Sequence, residues 1–173
     1  MTVSITVREA EAADLPTLGR LGAMLVRYHH DLDPRRFMEI AHVEQGYARF
    51  LGSQLTSADA VVLVACLREG EAADPTVVGY AYGTHEPRDW NALLDAHGAL
   101  HDVIVDPGAR RHGAAEALVL EVCRRLKALG APRVVLHTAV QNEAAQRLFA
   151  KLGFRKTMIE MTREATDTLP SSS

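Results

Sequence analysis

The chain is poor in cysteine, and this shortage already limits the kind of protein it can be. Its 173 residues include two cysteines, Cys66 and Cys123, too few for the disulfide framework of a small secreted domain. Both fall within apolar patterns, where cysteine commonly serves as a small core residue. The cysteine content therefore favours a reducing, cytoplasmic setting.

Long apolar runs and an excess of basic residues are also missing. The longest apolar stretch, 60–67, is far shorter than the roughly 20 residues that a helix needs to cross a bilayer. The N-terminus lacks the basic and then apolar pattern of a secretory signal. The formal net charge is -3, so no bulk positive field favours nucleic acid. We therefore predict neither membrane nor nucleic-acid partners.

Metal-ligand spacings and two common nucleotide-binding motifs are absent as well. The eight histidines show no ligand spacing with cysteine or with paired carboxylates, so we predict no metal. The sequence contains neither the Gly-Lys-Ser/Thr of a P-loop nor the Gly-x-Gly-x-x-Gly of a dinucleotide site. What remains is an ordinary globular composition, with 47% hydrophobic and 24% charged residues. We predict one domain over 3–163 and a disordered tail over 164–173.

The most informative stretch runs from Val103 to Leu118. Its first three residues are all β-branched and favour a strand, and a turn at Pro107-Gly108 then leads into a basic loop. Beyond Gly113 the apolar residues recur at helical spacing, at Ala115, Leu118, Val122, Leu126 and Leu129. Gly130 and Pro132 end that pattern. The stretch therefore predicts a strand, a loop and a helix.

A strand that leads through a small-residue loop into a helix N-terminus is suited to binding an anion. The first N–H groups of the helix have no carbonyl partner, and the helix dipole adds partial positive charge there. The small side chains of Gly113, Ala114 and Ala115 leave the backbone open to a phosphate. Arg110 and Arg111 can add charge-assisted hydrogen bonds.

Two segments of the chain resemble the GNAT superfamily of N-acetyltransferases. Arg110, Gly113 and Ala115 match the Gln/Arg-x-x-Gly-x-Gly/Ala pattern of the family's acyl-CoA loop. The segment from Asn142 to Phe154 resembles the family's C-terminal pattern, Asn-x-x-Ala-x-x-Leu-Tyr-x-x-x-Gly-Phe. The two segments have the family's order and separation, and the resemblance extends over 3–163.

Periodicity and turn residues place the remaining elements. Strands are predicted over 3–9, 60–67, 77–83, 99–105, 133–138 and 154–163. Helices are predicted from a cap at Asp14 to a stop at Asp33-Pro34, from about 37 to 55, from Gly113 to Gly130, and over 142–152. Residues 86–98 could form a short helix or a loop.

These elements and the resemblance together imply an α/β (α+β) fold. Its GNAT-like central sheet is mixed and mostly antiparallel, with helices on both faces. In the resembling family, the strand that ends here at Val105 and the one that ends near Thr138 splay apart. Coenzyme A enters the cleft between these two parallel strands.

The resemblance implies an N-acetyltransferase that uses acetyl-CoA as co-substrate and a primary amine of a small molecule, or an amino group, as acceptor. The backbone of Val103 and Val105 would pair with the pantetheine arm like an added strand. The pyrophosphate would lie on the loop residues Arg110, Arg111, His112, Gly113, Ala114 and Ala115. Asn142 matches a position near the pantetheine arm, although asparagine is also a favoured helix N-cap. The sequence leaves both roles of Asn142 open.

Two neighbouring residues are candidates for the catalytic base that accepts the proton of the amine. An acidic residue aligns with His101 in the diamine acetyltransferases, and an aspartate aligns with Asp102 in gentamicin-type aminoglycoside acetyltransferases. Histidine has a suitable unperturbed pKa of about 6.5. Strand alternation predicts that the two side chains point to opposite faces, so that only one lines the acceptor pocket.

Phe149 is the residue that departs from the family pattern. It replaces the usual tyrosine, which is thought to protonate the leaving thiolate, and phenylalanine has no proton to donate. Tyr80, Tyr82 or water could substitute. The departure keeps a second function open, that of a catalytically weak acyl-CoA-binding sensor or accessory module. The sequence also leaves open the acyl-chain length and a homodimer, which is common in the family.

Overall fold

The computed structural model describes residues 3–70 and 73–167. Its five strands are β1 (Val3–Glu9), β2 (Ala60–Glu69), β3 (Thr76–Glu86), β4 (His97–Val105) and β5 (Val134–Leu136). Its four α-helices are α1 (Leu15–Leu32), α2 (Val43–Gln54), α3 (Ala114–Ala128) and α4 (Glu143–Lys151). Short 3-10 turns lie just before α1, at Ala12–Asp14, and after β4, at Pro107–Ala109.

The strands form a single sheet in chain order, β1-β2-β3-β4-β5. The first three pairings are antiparallel and the β4–β5 pairing is parallel, which confirms the predicted mixed sheet. Within the described residues β5 pairs only with Gly98–Leu100, whereas β4 continues to Val105. The pairing of the two parallel strands therefore ends about halfway along β4. The β4 edge over 101–105 has no neighbouring strand on that side in the described part of the chain.

Helices cover both faces of the sheet because β2 is apolar on both of its faces. Alternate residues of a strand point to opposite sides. The side that α3 covers takes Val61, Leu63 and Ala65 from β2, and the side that α1 and α2 cover takes Val62, Val64 and Cys66. Cys66 and Cys123 are free thiols, and Cys66 is buried as the apolar pattern predicts.

Helix α2 begins six residues later than the sequence predicts. The prediction placed its start near 37, but the helix begins at Val43, after His42 in a left-handed conformation with φ 57°. Residues 38–42 are exposed, including Met38 and Ile40, so their apolar side chains form no buried helical face. Periodicity alone could not exclude them, because it does not report which apolar residues find a core.

The predicted last strand over 154–163 is wrong. Residues 155–163 carry no regular structure and are exposed, with Met161 89% accessible. Glu160 of this segment pairs instead with Arg36 in the turn after α1, and Glu164, just beyond the segment, pairs with Arg35. The preceding strand is also shorter than predicted, 134–136 rather than 133–138.

Two remaining expectations concern the loops and the chain end. The segment between β3 and β4 is a loop closed by backbone hydrogen bonds between Asp89 and Leu94, which decides between the two alternatives for 86–98. Most of the predicted disordered tail, 168–173, lies outside the described residues. In the described ranges no helix is long and apolar enough to cross a membrane.

Candidate active site

A β-bulge in β4 organises the candidate active site. Gly83 of β3 pairs with Leu100, but Tyr82 pairs with Asp102, so His101 is an extra residue on the β4 side. A bulge breaks strict alternation and re-aims the side chains around it. His101 and Asp102 therefore line the same cavity, and the prediction that only one of them could do so is wrong.

The cavity has a volume of about 370 Å³, at the low end of the range for small-molecule sites. Its lining comes from three elements: Tyr47 and Phe50 of α2, Tyr82 and Glu86 of β3, and His101 and Asp102 of β4. Residues three apart on a helix share a face, and residues two apart on a strand do so too. The cavity thus combines one helical face with one strand face.

Aromatic rings form one wall of this cavity. The Phe50 ring meets the Tyr82 ring edge-on, with centroids 5.4 Å apart. Tyr82 in turn stacks on His101, with ring centroids 5.1 Å apart and planes inclined by 28°. The Tyr82 hydroxyl donates a hydrogen bond to Gln54 Oε1 at 3.1 Å. Aromatic faces attract cations, so this wall suits an ammonium group.

The Asp102 carboxylate supplies negative charge at the floor of the cavity. Its Oδ2 accepts a hydrogen bond from the buried Tyr80 hydroxyl at 3.0 Å. Burial raises the pKa of Asp102 to about 6, although hydrogen bonds from Tyr80 and Tyr47 and the nearby His29 act in the opposite direction. Asp102 is therefore mainly a carboxylate at neutral pH. The Tyr80 hydroxyl proton is used in the hydrogen bond to Asp102, and burial raises the pKa of Tyr80 far above its usual value.

His101 lies beside Asp102 and is linked to two side chains of β3. Its Nε2 lies 2.7 Å from Thr84 Oγ1 and 3.8 Å from Glu86 Oε1. Burial lowers the pKa of His101, and the negative Glu86 opposes that effect. The imidazole is therefore mainly neutral near pH 7. His101 and Asp102 are both in proton-accepting forms at that pH.

The free edge of β4 presents backbone groups beyond the bulge. The Asp106 N–H donates to the Val78 carbonyl of β3 at 2.7 Å. Because backbone groups alternate in direction along a strand, the N–H and C=O of Val103 and Val105 face away from β3. That side is the one that β5 leaves open in the described part of the chain. This backbone can accept an extended ligand as one more strand.

The loop before α3 leaves its helix terminus open. Gly113 is the N-cap, with φ 80°, so no cap side chain covers the first N–H groups of the helix. A Cβ added at Gly113 would meet no atom within 4 Å. Arg110, Arg111 and His112 are exposed around this terminus, whereas Ala114 is buried and Ala115 partly so. An open helix N-terminus flanked by basic side chains can bind an anion.

Asn142 caps α4, one of the two roles that the sequence leaves open. Its Oδ1 accepts hydrogen bonds from the Ala145 N–H at 3.2 Å and from the Tyr28 hydroxyl at 3.3 Å. The amide Nδ2 remains a donor that the cap does not use. Phe149 packs against the core under α3 and lies 5.7 Å from Phe154 between ring centroids. It is a partly buried apolar residue that offers no proton.

Five residues that meet at this site or beside it belong to no motif that the sequence shows, namely Tyr28, Tyr47, Phe50, Thr84 and Glu86. Part of the signal was present on β3, where larger polar and aromatic residues alternate with Gly79, Ala81 and Gly83. That alternation identifies one face of the strand. It could not identify the α2 residues, because their approach depends on how α1 and α2 pack.

The chain belongs to the Acetyltransferase (GNAT) family, whose model matches residues 26–154. Its co-substrate is acetyl-CoA. An aminoglycoside N-acetyltransferase in complex with CoA has a TM-score of 0.71 at 18% identity, covering 96% of this chain and 98% of its own. A transcriptional regulator from Bacillus halodurans scores 0.69 at 24% identity, over 93% and 99% of the two chains.

An acetyltransferase from Trypanosoma brucei also has this fold, with a TM-score of 0.64 at 22% identity over 93% of this chain and 99% of its own. At such identities the likeness shows the fold alone. No curated protein matches the chain. Family membership, rather than any single relative, therefore establishes that the protein is an acetyltransferase.

Close packing between α1 and α2 sets the position of Tyr47, and this predicts the effect of Gly22→Ala. A Cβ at Gly22 would lie 2.2 Å from Tyr47 Cδ1, so the ring must move. We expect the free energy of unfolding to fall by about 1–3 kcal/mol. We also expect the KM for the acceptor to rise roughly tenfold, because a displaced wall misplaces the substrate. Chemical denaturation and steady-state kinetics measure the two effects.

Gly46→Ala is the matched control for this substitution. Gly46 precedes Tyr47 on α2, and a Cβ there meets nothing within 4 Å. It should leave the kinetics unchanged and stabilise the helix by up to about 1 kcal/mol. If Gly22→Ala behaved like this control, the close packing would not set the position of Tyr47.

Proposed function

We propose that this acetyltransferase is an N-acetyltransferase, which transfers the acetyl group of acetyl-CoA to a primary amine of a small cationic molecule. The cavity beside the bulge carries this proposal. Its six lining residues include two carboxylates, Glu86 and Asp102, together with aromatic rings, and none of the six is lysine or arginine. Carboxylates and aromatic faces both attract an ammonium group.

The open β4 edge and the α3 terminus support the acetyl-CoA side of the proposal. Val103 and Val105 would hold the pantetheine amides through their outward N–H and C=O groups. The Gly113 terminus, with Ala114 and Ala115, would hold the pyrophosphate, and Arg110 and Arg111 would add positive charge. His112 would contribute its backbone position, and Asn142 the Nδ2 donor that its capping role leaves free.

Two residues of the cavity have different roles toward the acceptor amine. We assign Asp102 to binding the ammonium, since its carboxylate is held by Tyr80 at 3.0 Å. We assign His101 to accepting the proton that the amine loses, directly or through water. The amine nitrogen then forms a bond to the acetyl carbon while the carbon–sulfur bond breaks, and the second proton that the nitrogen loses passes through water to the departing sulfur. The products are an amide and CoA.

The departing sulfur needs little help from the protein. A thiol with a pKa of about 8.5 is a tolerable leaving group near neutral pH. The hydroxyls of Tyr80 and Tyr82 already donate to Asp102 and Gln54. Water is therefore our choice for the group that protonates the thiolate, in place of the tyrosine that Phe149 replaces.

The direct test is a panel of small amines with acetyl-CoA. We expect amine-dependent release of free thiol, together with the acetylated amine in the mass spectrum. The aminoglycoside N-acetyltransferase that shares the fold makes aminoglycosides sensible members of the panel. The second candidate, which Phe149 keeps open, is a catalytically weak acyl-CoA-binding module. It would bind acetyl-CoA but release no thiol above background hydrolysis with any amine.

The pKa of Asp102 predicts how acceptor binding depends on pH. Because the ammonium binds to the carboxylate form, affinity for the amine should fall as the pH drops through about 6. Calorimetric titration of the CoA-bound protein with an active amine measures this affinity. Asp102→Asn should weaken binding at pH 7 and remove the pH step. An amine affinity that is equal above and below pH 6 would contradict the role of Asp102.

A further inference from the structure

We infer that Thr84 and Glu86 are positioning residues, which hold His101 with Nε2 as a hydrogen-bond donor and leave Nδ1 as the atom that takes the acceptor's proton. This inference rests on the proposed function, because it concerns the base of the same reaction. It adds two residues to the site that the sequence does not single out.

The hydrogen count at Thr84 fixes the direction of each bond. Thr84 Oγ1 lies 2.5 Å from Glu86 Oε1 and 2.7 Å from His101 Nε2. A carboxylate has no proton to donate, so the single hydroxyl proton of Thr84 goes to Glu86. The hydroxyl oxygen must then accept from the ring, and His101 Nε2 carries a hydrogen.

The strand geometry explains why these three groups meet. Thr84 and Glu86 are two residues apart on β3 and therefore share a face. The bulge opposite Tyr82 turns His101 toward the same side. Stacking on Tyr82 then limits rotation of the imidazole. The ring is thus fixed both at its edge and on its face.

A fixed ring has one consequence for chemistry. Since Nε2 keeps its hydrogen in both the neutral and the positive ring, any proton that His101 gains must be on Nδ1. Glu86 Oε1, 3.8 Å from Nε2, stabilises the positive ring that forms. The carboxylate therefore raises the basicity of His101 through the ring.

Other groups near the His101 ring also influence its pKa. Burial is the largest influence and lowers the pKa of His101, and His137 and His97 lower it further. Glu86 raises it through charge and hydrogen bonding. Asp102, Tyr47 and Tyr82 are the other ionisable residues that line the cavity. Glu86 is therefore the neighbour whose removal should lower the basicity of His101.

Ring-nitrogen NMR tests the arrangement without any turnover. Long-range correlations between ring protons and nitrogens distinguish the two neutral tautomers of histidine. We expect His101 to show the Nε2–H form in the wild type and in Thr84→Ser, and a mixture in Thr84→Val. The signal that disappears in His101→Gln identifies the residue. Thr76→Val, on the exposed end of the same strand, is the matched control.

Kinetics then test the consequence for the proton transfer. Glu86→Gln should move the acidic limb of the kcat profile to lower pH and reduce kcat about tenfold. Thr84→Val should lower kcat by a similar factor, and Thr84→Ser should restore it. Acetyl-CoA affinity should not change in any of them. Glu69→Gln, at the exposed end of β2, is the control for loss of a carboxylate.

The two levels of the proposal fail in different ways. A wild-type protein that releases no thiol with any amine contradicts the proposed function, and the NMR tautomer still tests the Thr84–Glu86 arrangement. If the wild-type protein is active but His101 has the Nδ1–H form, the assignment of Thr84 and Glu86 is contradicted and the proposed function is not. The assignment of Thr84 and Glu86 is also contradicted if Glu86→Gln and Thr84→Val keep the wild-type kcat and pH profile. It is contradicted as well if Thr84→Ser has a kcat as low as that of Thr84→Val.

Discussion

His101→Ala should lower kcat at least about a hundredfold, the size of effect that a positioned general base contributes. Affinity for acetyl-CoA should stay the same, because the cofactor is assigned to the β4 edge and the α3 terminus. The fold should survive, since the His101 side chain is 41% exposed and lies at the bulge rather than in either core. Steady-state kinetics and calorimetric titration with CoA measure the two quantities.

His85→Ala is the matched control for that variant. His85 lies between Thr84 and Glu86 on β3, and strand alternation directs its side chain to the opposite face. It should keep wild-type kcat. If His101→Ala kept normal turnover with normal pH dependence, the base would be Asp102 or water.

Gly113→Leu should weaken acetyl-CoA binding at least about tenfold, the loss expected when hydrogen bonds to a charged group are broken. A side chain at this position enters the space in front of the first N–H groups of α3, where the pyrophosphate would lie. The substitution should still allow folding, because a Cβ there meets no atom within 4 Å. It does carry backbone strain, since φ is 80°.

Gly130→Leu separates that strain from the loss of binding. Gly130 follows the other end of α3, has φ 98°, and is equally free of neighbours within 4 Å. Both variants should lose about 1–2 kcal/mol of unfolding free energy. Only Gly113→Leu should lose affinity for CoA. Equal CoA affinity in the two variants would contradict the assignment of the phosphate site to this terminus.

Much of the fold could be predicted because local patterns determine it. The apolar run of β2 contributes side chains to both cores, and the β-branched residues before Pro107 mark the end of β4. Glycine or asparagine at the ends of α3 and α4 set those helix boundaries closely. The segment 154–163 was mistaken for a strand because strand-like composition does not guarantee a neighbouring strand to pair with.

The candidate site was only partly predictable, for a different reason. The bulge at His101 depends on how β3 and β4 pair, so the sequence of β4 alone does not predict it. Tyr47 reaches the cavity because Gly22 lets α2 approach α1 closely. The open helix terminus at Gly113 was easier to predict because it depends on the local sequence alone, and its role in binding acetyl-CoA stays a prediction.

Amide hydrogen exchange with and without acetyl-CoA tests most directly where the co-substrate binds. In the free protein, the outward N–H groups of Val103 and Val105 and the first N–H groups of α3 should exchange quickly. Bound acetyl-CoA should slow exchange at Val103 and Val105 and at Gly113, Ala114 and Ala115, while β1 stays unchanged. If saturating acetyl-CoA slowed exchange at none of these amides, or slowed it on a different surface, this binding mode would be contradicted.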